Sequence, residues 1–85
     1  MPIKALFVLA ANQDDKTNLL RLWNFVAELD DINLMMELNN KYQPVIFQAL
    51  TTVDKQAMSS MKPFENLAEA IECIVSDQAM AETLK

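Results

Sequence analysis

Eighty-five residues make one small domain, spanning 1–85, and 52% of them are hydrophobic, more apolar surface than so short a chain readily buries within itself. The formal net charge is −5 and the seven basic residues are scattered without a stripe, which argues against nucleic-acid phosphates or an anionic membrane surface as partners. Histidine and glycine are both absent, so the commonest general base and metal ligand is missing, a Ser-His or Cys-His nucleophile is impossible, and neither a phosphate-cradling loop nor tight hairpins are favoured.

The first element is Pro2 to Ala11, "PIKALFVLAA". Its nearly unbroken apolar run suits a strand buried on both faces. Ile3, Leu6, Phe7 and Ala10 equally fit helical spacing, with Pro2 at the first helical position. A secretory apolar region is a third reading, at the short end of its usual length. No run approaches the ~18 apolar residues of a membrane span.

The next element is an amphipathic helix from Asp15 or Thr17, either of which can cap it, to about Leu29. Leu19, Leu22, Trp23, Val26 and Leu29 form its stripe, and Leu20 and Phe25 widen it. Asp30 and Asp31 cap a short helix through about Asn39, with Leu34, Met35 and Leu38 inward. "NNKYQP" reads as a turn, in which Asn40 takes the left-handed conformation that glycine would otherwise supply. Pro44 then opens a helix carrying Ile46, Ala49, Leu50, Val53 and Ala57 on one face. Ser59 to Lys62 breaks the chain. Pro63 starts a last helix with Phe64, Leu67, Ala70, Ile71 and Ile74 along one side.

The stretch from Lys4 to Leu50 resembles the C-terminal half of phosphotransferase-system IIA domains of the fructose, mannitol and nitrogen-regulatory type. The resemblance rests on an apolar strand, an acidic loop, and Asn18-Leu19 where that family has His-Leu. Leu22, Leu29, Asp31, Leu34, Leu38, Pro44 and Leu50 fall on its further positions. The family's N-terminal half, which holds its phosphorylated histidine, has no counterpart before Lys4. The resemblance therefore implies an architecture, with "KALFVLA" as a strand, and no phosphoryl transfer.

The expected fold is mainly α: about four helices and one short N-terminal β-strand that pairs across a homodimer. The alternative is an all-α five-helix bundle. A lone strand leaves its backbone N–H and C=O groups unpaired, and two copies pairing about a two-fold axis would satisfy them. Leu6, Phe7 and Val8 are then interface candidates near the dyad. Trp23 is a candidate for the core or the main interface. Met58 and Met61 straddle the break before Pro63, where adaptable thioethers suit a groove.

Other chemistry is weak. Cys73 sits between acidic neighbours in a helix-periodic setting, which suits a small buried hydrophobe better than a reactive thiol. The pairs Asp14-Asp15 and Asp30-Asp31 lack the alternating oxygens and glycine turn of a calcium loop and read as helix caps. The expected function is a non-catalytic protein-interaction or regulatory module acting as a homodimer, cytoplasmic, with no metal and no cofactor. Its partners would be itself and one other protein, with no nucleic acid and no membrane. The alternative is a small acidic inhibitor that captures a basic protein or mimics nucleic acid.

Overall fold

The N-terminal segment is a helix, which corrects the expected strand. The computed structural model describes residues 3–13, 15–53 and 61–83, the last six of these as backbone only. It contains four helices: α1 (Ile3–Ala11), α2 (Thr17–Glu28), α3 (Ile32–Thr52) and α4 (Leu67–Thr83). No strand occurs among the described residues, and the fold is mainly α. In α1, Leu6, Phe7 and Ala10 are fully buried, Ile3 is half-buried, and Lys4, Ala5 and Val8 face outward. That is the helical spacing, not the two-sided burial of a central strand. A helix pairs its own backbone groups, so the partner strand that the dimer argument required is not needed.

α2 follows the expected bounds closely. Leu19, Leu20, Leu22, Phe25 and Val26 are its buried residues. The α1–α2 connection is held by polar ties. The Lys16 ammonium donates to the carbonyls of Ala11 (2.7 Å) and Gln13 (2.6 Å), satisfying acceptors that the end of α1 leaves open. The Asp15 carboxylate accepts from the Thr17 amide at 2.9 Å. That bond, with the Thr17 hydroxyl, holds the Asp15 pKa below the usual aspartate value, against a smaller upward push from burial.

α2 ends in a left-handed residue, and with no glycine in the chain it is Asp30, at φ 56°. The left-handed turn expected at Asn40 is thus found ten residues earlier. Asp tolerates this conformation better than most residues but retains a Cβ clash. Asp30→Gly is expected to raise the unfolding free energy by roughly 0.5–1 kcal/mol, read by urea denaturation. A loss of stability would show that the aspartate side chain does more here than occupy the turn. Asp31 caps α3 as expected, its carboxylate accepting from the Leu34 amide at 3.1 Å.

α3 is one helix of 21 residues with Pro44 inside it, which corrects the expected turn at "NNKYQP" and the two short helices on either side. The physical reason lies in the core. Leu38, Ile46 and Ala49 are buried and Tyr42 packs against them, so one apolar face runs unbroken through the proline. A turn at Asn40 would take Tyr42 away from the Phe7 ring, whose centroid lies 5.0 Å from its own.

α4 begins after Asn66, not at Pro63. The Asn66 side-chain oxygen accepts from the Glu69 amide at 2.8 Å, the geometry of an N-cap, while Phe64 is already buried ahead of the helix. Arg21 reaches from α2 to this segment. Its guanidinium lies 4.2 Å from the Phe64 ring centroid, donates to the Lys62 carbonyl at 2.9 Å and pairs with Glu69 at 3.2 Å.

α1 and α2 form the centre. α1 contacts all three other helices, and α2 also contacts both α3 and α4. α3 and α4 do not touch each other among the described residues. Each therefore has an outward side that no other described helix covers.

Candidate interaction surface

The outward side of α3 is the most distinctive surface of the molecule. At 100° per residue, Ile32, Met36, Asn39, Gln43, Phe47 and Leu50 fall on one stripe, turned away from the line of Leu38, Tyr42 and Ala49. Four of the six are large apolar side chains left in solvent: Ile32 is 70% exposed, Phe47 65%, Met36 59% and Leu50 44%. Asn39 and Gln43 are also exposed and sit between the two apolar pairs.

The stripe carries no charge. The two charged residues of α3, Glu37 and Lys41, lie on another side of the helix. Glu37 is tied to Lys4 of α1 at 2.8 Å, and the Lys41 ammonium lies 5.5 Å from the Tyr42 ring centroid. Depletion of charge from a central apolar band is the compositional mark of an interface core.

Beside the N-terminal half of the stripe is an open groove of about 220 Å³, lined by Trp23, Met35, Met36 and Asn39. Trp23 reaches it from α2. The indole is half-buried, and its ring stands edge-on to Phe7, with centroids 6.1 Å apart and planes at 78°.

The interface candidates read from sequence are dispersed by the fold. Leu6 and Phe7 are fully buried inside the chain, so neither lies near a dyad at the surface, and only Val8 of that trio is exposed, at 39%. Trp23 sits where the core meets the groove. Met61 is half-buried against the core. Met58 lies outside the described residues, as do Ala57 and the Ser59-Ser60 break. Ile32, Met36 and Phe47 were not singled out by the sequence reading, and Leu50 was placed on an inward face. Their spacing is readable only along a single helix, and the assumed turn at Asn39 to Pro44 cut the stripe in two.

A polar chain joins the α1–α2 loop to α4. Buried Gln13 donates to the Ile74 carbonyl at 2.9 Å and accepts from the Asn18 amide at 3.4 Å, and Asn18 donates to Asp77 at 2.6 Å. Every member is used as a structural tie. Asn18, the residue aligned with the His of the IIA pattern, is part of it. Cys73 is half-buried on α4. Among the described residues no three His, Cys, Asp or Glu side chains converge on one point, and no helix is long and apolar enough to cross a membrane.

A scan against protein-family models, a search of the curated proteins and a search of the solved structures each find no match for this chain. The resemblance to IIA domains gains no support from them, and the strand that it implies is α1.

Proposed function

We propose that the protein is a non-catalytic protein-interaction module that acts as a homodimer, with the outer face of α3 as its contact surface. The observation that carries this reading is the uncharged apolar stripe running the length of α3 with no described helix of its own chain over it. Surface of this kind in a small soluble-type fold is a recurrent mark of protein contact. The absence of histidine supports a non-catalytic role. The strand-mediated dimer is replaced by one built on helices.

The contact is apolar, so it should withstand salt. Sedimentation velocity at tens of micromolar protein is expected to give a dimer in both 0.1 M and 1 M NaCl, because screening weakens charge pairs and leaves apolar burial intact. A monomer of 9.7 kDa at both salt concentrations would defeat the reading. A dimer that dissolves at 1 M NaCl would defeat the α3 face as its basis.

A further inference from the structure

Resting on the homodimer proposed above, we infer that two copies of α3 pair antiparallel, with Phe47 of each copy seated in the Trp23/Met35/Met36/Asn39 groove of the other. The argument is the order of the stripe itself. Ile32, Met36, Asn39, Gln43, Phe47 and Leu50 are spaced by 4, 3, 4, 4 and 3 residues, which is nearly the same read from either end. Reversing one copy brings Ile32 opposite Leu50, Met36 opposite Phe47, and Asn39 opposite Gln43, all within one residue of a common two-fold level with Lys41. Apolar residues meet apolar residues at both ends, and amide meets amide near the centre.

A second copy is the occupant that this pattern fits. An isologous contact requires a surface complementary to itself about a dyad, and the near-palindrome meets that requirement along a face about 27 Å long. A parallel pair would instead stack Ile on Ile, Met on Met and Phe on Phe, leaving each groove without a side chain aimed at it. The spacing alternates three and four residues, as a helix-pair seam does, and a polar pair within such a seam fixes orientation and register at some cost in stability.

The groove supports the same register independently. With Met36 opposite Phe47, the phenyl ring of one copy arrives over Met35 and Met36 of the other, where the groove opens. A volume of about 220 Å³ accepts one ring, since a cavity of roughly 150 Å³ already holds benzene. Its lining of one indole and two thioethers is favourable for an aromatic guest. Specific dimers typically bury about 800 Å² per partner. One helix face with two seated rings sits at the low end of that class, so the association is of micromolar strength.

The test is disulfide trapping in a Cys73→Ala background, which removes the chain's one native thiol. Single variants Asn39→Cys and Gln43→Cys change exposed residues. They are mixed in equal amounts, oxidised mildly and read by intact mass, which distinguishes the mixed dimer from both homodimers. The mixed 39–43 disulfide is expected to exceed each homodisulfide at least fivefold. Predominant 39–39 and 43–43 disulfides would overturn the antiparallel register while leaving the homodimer in place. A dimer by sedimentation that forms none of the three disulfides would remove α3 from the interface. A monomer would overturn both readings.

A second measurement separates the anchor from the register. Phe47→Ala is expected to weaken association at least tenfold with the helical circular dichroism unchanged, and to abolish a concentration-dependent blue shift of Trp23 emission that the native chain shows. Phe47→Leu should retain part of it. Unchanged association in Phe47→Ala would overturn the ring-in-groove contact.

Discussion

Replacing Phe7 by alanine is expected to cost about 3–5 kcal/mol of stability, the range for truncating a buried aromatic residue. Phe7 is fully buried at the meeting point of three helices. It belongs to α1, stands edge-on to Trp23 of α2 and lies against Tyr42 of α3. Few neighbouring atoms can collapse into the space, because each belongs to a different helix held by its own contacts. A chain of this size has a total stability of about 5–15 kcal/mol, so the variant would keep at most a thin margin. Urea denaturation followed by circular dichroism measures the loss. A change under about 1 kcal/mol would mean that α1 does not anchor the core, since surface positions are the ones that tolerate truncation so well.

The second large effect has the opposite sign. Pro44→Ala is expected to stabilise the protein by about 2 kcal/mol. An interior proline costs a helix roughly 3 kcal/mol, by removing a donor and by crowding the carbonyl one turn back. That carbonyl belongs to Asn40. The gain is reduced by the extra freedom alanine gives the unfolded chain, on the order of 1 kcal/mol or less. Pro44 is exposed, so no core contact is lost on replacement. A destabilised variant would show that the proline marks a real boundary and that α3 is two helices. The same chevron-free equilibrium experiment that measures Phe7→Ala decides it.

Most of the helical content was readable because its signals are local. α2 shows five apolar residues at one-turn intervals, and Asp31 lies where a capping side chain is wanted. Segments with two admissible readings were not settled by local signals. Ile3, Leu6, Phe7 and Ala10 satisfy helical spacing, yet the same run satisfies a buried strand, and only the burial pattern distinguishes them. Pro44 illustrates the reverse error. Its preference for the first turn of a helix is sound physics in isolation, and continuous packing of Leu38, Tyr42, Ile46 and Ala49 outweighs it. The candidate surface went unread for that reason alone. Met36 and Phe47 are eleven residues apart, which is close to three turns only if nothing interrupts the helix.

The separation of α3 from α4 bears on the order in which the fold assembles. α3 docks on α2, its neighbour in the chain, and closes only a short loop. α4 is joined to the α1–α2 unit by the Gln13–Ile74, Asn18–Asp77 and Arg21–Glu69 ties, which span 61, 59 and 48 residues. Such contacts carry the larger loop-closure entropy and form late when folding rates follow contact order. An α2–α3 hairpin packed by α1 is the natural early assembly, and α4 is the last helix to seat. The outer face of α3 is then presented before the chain is complete, so association through it can precede the docking of α4.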